Sequence, residues 1–169
     1  MFGRWLNQAT KVADLPAAEG LERAVRAALP AADQETVLVV VAIAGLLAAV
    51  AYADRKYTPD EAKRVRRELA RLHGMSETSG DAVTRVLEAN LVELSTIETP
   101  RFCRVLRELG DTELRLEVLG ILVDIAAEDG VISSEESNVL RRLTSALGLT
   151  QGDYNALQQK HRERLGVLR

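Results

Sequence analysis

Residues 45–67 align without gaps on residues 120–142, and this internal repeat constrains the fold more than any single motif does. Identical pairs are Gly45/Gly120, Leu47/Leu122, Ala51/Ala126, Asp54/Asp129, Glu61/Glu136, Arg66/Arg141 and Arg67/Arg142. Conservative pairs include Val50/Ile125, Thr58/Ser133, Asp60/Glu135 and Val65/Leu140, and after a one-residue slip Leu69/Leu143 and Gly74/Gly148 also match. Each copy reads as an apolar helix, a tight loop opening on Asp, a capping box and a second helix. A lone hairpin of this kind cannot bury its apolar face, so the two copies are expected to form a pseudo-symmetric pair of helical hairpins at the core.

Helix punctuation elsewhere is frequent, and no strand alternation stands out. Leu21 to Leu29 is a short amphipathic run stopped by Pro30, and Asp33 is placed to cap the apolar helix that follows. Thr58, Pro59 and Glu61 read as N-cap, N1 and N3 of a helix closing at Gly74. Val83, Val86, Leu87, Leu91 and Leu94 form the next stripe. Thr99-Pro100 opens a helix with Phe102, Val105, Leu106 and Leu109 inward and Gly110 as a left-handed stop. Asp111 caps the next, Ser133 and Glu136 form the second capping box, and a last helix from about Gln151 carries Tyr154, Leu157, His161 and Leu165 on one face. The expected fold is all-α, one bundle of seven or eight helices over residues 18–169, preceded by an N-terminal segment, residues 1–17, that is mobile or peripheral.

Apolar residues make up 47% of the 169 and charged residues 28%, the balance of a globular chain. Residues 36–53 carry no charge, the lower edge of the length that crosses a bilayer. Six alanines and a glycine dilute the run, and its repeat partner contains Asp124, so a helix buried on all sides is the expectation. A formal charge of −3 gives no electrostatic case for nucleic acid. The single cysteine, Cys103, rules out an intramolecular disulfide and a cysteine-based zinc site. No secretory signal is recognised at the start of the chain, so a reducing cytoplasm is the expected compartment.

The second loop, Ala126-Ala127-Glu128-Asp129-Gly130-Val131-Ile132-Ser133-Ser134-Glu135-Glu136, resembles the A-x-x-D-G-x-[IV]-x-x-x-E motif of TerB-like (tellurite resistance) domains, a module found also in some membrane-anchored J-domain co-chaperones. The likeness is strongest over residues 37–150. The first loop departs from it: Arg55 stands where glycine would, and Tyr57-Thr58-Pro59 replaces the small polar run. The resemblance implies a helical bundle of bacterial stress responses to tellurite and other oxyanions, phage and membrane stress, without catalytic activity. It also implies a metal-linked role for the acidic loops and another protein of such a system as partner.

Asp54 with Glu61, and Asp129 with Glu136, are the candidate metal-binding carboxylates, with Asp60, Asp124, Glu128 and Glu135 nearby. Brought together by pseudo-symmetry they offer the oxygen ligands that Ca²⁺ or Mg²⁺ prefers, and Zn²⁺ is a third candidate. The spacing is not that of an EF-hand. A structural reading accounts for the same residues. Glu61 and Glu136 fit N3 of capping boxes, Asp54 and Asp129 fit loop-amide acceptors, and Gly130 fits a left-handed turn residue. The two readings are compatible.

Arg66, Arg67, Arg141 and Arg142 lie inside the second helix of each copy and are candidate contacts for an acidic partner, against the plainer reading of a solvated face. Phe2, Trp5 and Leu6 are candidate membrane contacts, which would place the segment at the inner face of the membrane. His73 and His161 have no matched partner in sequence and read as helix-end or core residues, and Cys103 reads as a buried thiol. No phosphate loop, H-E-x-x-H or G-x-S-x-G element is present, so an enzyme is not expected.

Overall fold

A computed structural model describes residues 16–72, 74–128 and 130–167, the side chains of Pro16 and of residues 165–167 excepted. Nine helices occur among the described residues: α1 (Pro16–Ala28), α2 (Gln34–Ala51), α3 (Pro59–Arg71), α4 (Glu77–Ala89), α5 (Leu91–Thr96), α6 (Thr99–Leu109), α7 (Thr112–Ala126), α8 (Ser134–Ala146) and α9 (Gln151–Val167). The apolar run forms α2, and every other helix except α9 packs against it. By length and composition α2 qualifies as a membrane span, yet 78% of its residues are buried against its neighbours. Its all-round apolar surface is satisfied by protein.

Local chemistry sets most helix starts. Asp33 and Asp111 each accept at 2.8 Å from the amide three residues on, Thr36 and Leu114, and so cap α2 and α7. Thr58 and Ser133 open α3 and α8 with complete capping boxes. Gly74 and Gly148 end the second helix of each copy at φ +82° and +71°, where the missing Cβ removes the left-handed penalty.

Three expectations need correction. The single stripe Val83–Leu94 divides into α4 and α5 at Asn90, whose φ of −126° breaks the helix. α1 begins at Pro16, five residues before Leu21, because Ala17 and Ala18 are buried with Leu21 and Val25. Gly110 is extended (φ −99°, ψ 143°) rather than left-handed. It is required by closeness, since a Cβ there would sit 2.7 Å from the Leu106 carbonyl oxygen and 2.9 Å from Leu114 Cδ2.

The repeat is longer than the hairpin. α2 and α3 correspond to α7 and α8, and a third helix follows each pair: α4 packs on α3 and α2, and α9 packs on α8 and α7. Continued past the one-residue slip, the alignment sets Ser76 on Thr150, and both cap their helix by accepting from the amide three residues on, at 3.1 Å in each case. The core is thus two three-helix units joined by α5 and α6, with α1 laid on α4 and α2.

Candidate functional site

The loops after α2 and α7 share their turn hydrogen bonds among the described residues. Tyr52 and Ala127 each donate to the carbonyl four residues back at 2.9 Å, and Arg55 and Gly130 each donate to the carbonyl three residues back at 2.9 Å. Arg55 (φ +62°) and Gly130 (φ +88°) are both left-handed, and Arg55 is the sole non-glycine residue in that region among the described residues. The departure from glycine in the first loop therefore leaves the turn intact, with strain held at Arg55. A Cβ on Gly130 would meet no atom within 4 Å, so its cost is purely that of the backbone. Gly130→Ala is expected to cost about 1 kcal/mol and Arg55→Gly to cost nothing, since that strain is already present. Urea unfolding of both variants checks this; equal losses would contradict it.

The carboxylates on these loops act first on their own chain. Glu61 Oε2 accepts from the Thr58 amide at 2.6 Å and Glu136 Oε2 from the Ser133 amide at 2.8 Å. Asp54 Oδ1 accepts from the Lys56 amide at 2.9 Å, an Asx turn within the loop. Asp129 lies outside the described residues, as do Phe2, Trp5, Leu6 and His73. Among the described residues no group of three or more His, Cys, Asp and Glu side chains is gathered as a metal site.

Glu128 joins the two units. Arg67 of α3 donates to both its oxygens, Nη1 at 3.1 Å and Nη2 at 2.6 Å, and Arg64 Nε lies 3.3 Å from Oε2. This bidentate pair holds the Arg67 guanidinium above its ordinary pKa. Arg66 pairs with Asp81 of α4 at 2.9 Å. The equivalent residues of the second unit differ. Arg141 and Arg142 are exposed and form no ion pair among the described residues. With Ser145, Gln151 and Asn155 they line an open cavity of ≈ 640 Å³ between α8 and α9.

Reasoning from sequence missed two groups. His161 Nδ1 lies 3.0 Å from Asp124 Oδ1, and Arg164 Nη1 lies 3.7 Å from the other oxygen. The extended repeat carries the signal, because Ala49 and Leu87 occupy the matching positions in the first unit and an apolar pair has become an ionisable one. Glu98 is fully buried, with neither oxygen hydrogen-bonded and Arg101 Nη1 at 4.0 Å from Oε2; burial pushes its carboxyl pKa up. Cys103 is buried, and burial raises its thiol to about 12, as expected of an inert core thiol.

No curated protein and no solved structure matches the chain. A family model described as tellurite resistance protein TerB matches residues 40–159, well over half the chain, from within α2 into α9. The chain belongs to the TerB family.

Proposed function

We propose that this chain is a non-enzymatic recognition module of a tellurite-resistance-type stress response, acting in the cytoplasm on an acidic protein of the same system. Its docking surface is the arginine pair of the second unit, Arg141 and Arg142, with the amides of Gln151 and Asn155 beside it. The observation that carries this reading is the difference between the units. Arg66 and Arg67 are neutralised within the chain by Asp81 and Glu128, whereas Arg141 and Arg142 meet no acid among the described residues. A pair of unneutralised arginines on a rigid helix suits bidentate recognition of carboxylates. The acidic loops then serve as architecture: two caps, an Asx turn, and Glu128 as the link between units.

The test is growth of cells whose tellurite resistance depends on this chain. Replacing Arg141 and Arg142 together by glutamate is expected to reduce resistance to that of cells lacking the chain. Exposed helical substitutions change stability by only about 0.5 kcal/mol, so an unchanged melting temperature shows that folding is not the cause. Arg66→Gln, which removes an arginine already spent internally, is expected to keep resistance. Full resistance in the doubly reversed variant would overturn the assignment.

A further inference from the structure

Each three-helix unit serves as a control for the other, and the comparison exposes a cavity with a defined shape. In the first unit the ring of Tyr57 packs half-buried against the core, with its hydroxyl buried. Burial, then the charges of Glu88 and Glu61, pushes the phenol's pKa up. In the second unit the repeat puts Ile132 for Tyr57, Gln158 for Thr84, His161 for Leu87 and Arg162 for Glu88. Ile132 and Ala127, which stand where the first unit has Tyr57 and Tyr52, both line a cavity of ≈ 320 Å³.

Its apolar walls are Val123, Ala127 and Ile132, and its polar lining is Gln158, His161 and Arg162. Val131, 78% exposed, stands at the rim beside the open side of Gly130. The volume sits at the lower end of ligand sites, roughly 300–1,000 Å³. With Asp124 accepting from Nδ1 of His161, Nε2 is the ring nitrogen left with hydrogen-bonding capacity, and it is buried without a partner among the described residues. An unmet buried polar atom is costly, and a ligand that meets it gains accordingly.

We propose that this cavity binds a small aromatic carboxylate, its ring taking the place that Tyr57 fills in the first unit and its carboxylate meeting Arg162. The charge at the aligned position changes sign between the units, from Glu88 to Arg162, and Arg162 lines the cavity, so an acid is the matching group. Apolar walls with one guanidinium favour a planar acid over a free inorganic anion, which gains nothing from Val123, Ala127 and Ile132. His161 Nε2, buried without a partner among the described residues, is placed to hydrogen-bond a ring hydroxyl. This site is separate from the Arg141/Arg142 surface and stands or falls without it.

The experiment is titration of the full chain with 4-hydroxybenzoate, followed by calorimetry and by amide shifts in two-dimensional NMR, with phenol as the uncharged control. The expected result is saturable one-site binding below millimolar concentration, with shifts concentrated at residues 130–132 and 158–162 and phenol clearly weaker. Ile132→Tyr fills the cavity with the ring the first unit carries, and is expected to abolish binding. Arg162→Gln, an exposed change that leaves folding intact, is expected to weaken binding about tenfold, the loss of one charge-assisted contact. No binding by wild type at millimolar concentration would overturn the proposal. Equal binding of phenol and 4-hydroxybenzoate, or an Arg162→Gln affinity equal to wild type, would overturn the role of the carboxylate.

Discussion

Gly45→Ala is expected to destabilise the chain by about 3 kcal/mol, whereas the same change at its repeat partner, Gly120→Ala, is expected to stabilise it by about 0.5–1 kcal/mol. Both glycines sit inside an apolar helix, where propensity alone favours alanine. The difference lies in what faces them. A Cβ on Gly45 would stand 2.1 Å from Cε2 and 2.4 Å from Cδ2 of Phe102, whose side chain is fully buried and has nowhere to swing. Either α2 and α6 part or the ring leaves its rotamer, at the contact between the central helix and the helix that links the two units. A Cβ on Gly120 would meet Leu157 Cδ2 at 3.6 Å, an ordinary contact. Denaturant midpoints of the two variants measure the difference. Phe102→Leu in the Gly45→Ala background should recover part of the loss, because the two changes share one contact. Equal effects at the two glycines would show that Phe102 does not seat against α2.

Glu98→Gln should raise the melting temperature at neutral pH. A carboxylate buried with both oxygens unmet costs about 1–3 kcal/mol, offset only in part by Arg101 at 4.0 Å. At roughly 2–4 °C per kcal/mol for a chain of this length, the gain is several degrees. The pH dependence has a definite sign. A raised folded pKa means that the folded state binds more protons than the unfolded one above the ordinary glutamate value of about 4.3, so stability falls as pH rises from there to the folded pKa. Below about pH 4 both states are protonated and the advantage of Gln over Glu disappears. Melting curves of wild type and variant from acid to neutral pH should therefore converge at the acid end. Parallel curves would mean that Glu98 is solvated in the folded chain.

The caps were legible because their code is local. Thr58 with Glu61, Ser133 with Glu136, Asp33 and Asp111 are placed by a spacing of three residues and need no tertiary information. Burial of the uncharged run was legible from its repeat partner, which carries Asp124 where the run has Ala49. What was not legible depends on which side chains meet across helices. The third helix of the repeat is hidden because Gly80 aligns with Tyr154 and Leu87 with His161, pairs without chemical likeness although the caps Ser76 and Thr150 match in function. The same four arginines look equivalent along the chain, and only the fold gives Arg66 and Arg67 their acids. Glu98 carries no signal in sequence, since an isolated glutamate before Thr99-Pro100 reads as a solvated helix entry. Arg55 looked like a break in the motif, yet its backbone is that of Gly130.

The division of labour between acidic loops that build the turns and an arginine pair that recognises a partner can be tested directly by thermal unfolding of the wild-type chain with and without millimolar Ca²⁺, Mg²⁺ or Zn²⁺. Binding to the folded state alone at a hundredfold excess over the dissociation constant would add about 2.7 kcal/mol, a shift well outside measurement error. With Glu61 and Glu136 engaged on the Thr58 and Ser133 amides and Glu128 on Arg67, the expected result is no change in melting temperature with any of the three ions. A rise with one of them that vanishes in Asp129→Asn or Glu136→Gln, while those variants melt like wild type in its absence, would contradict the account and make the acidic loops a cation site.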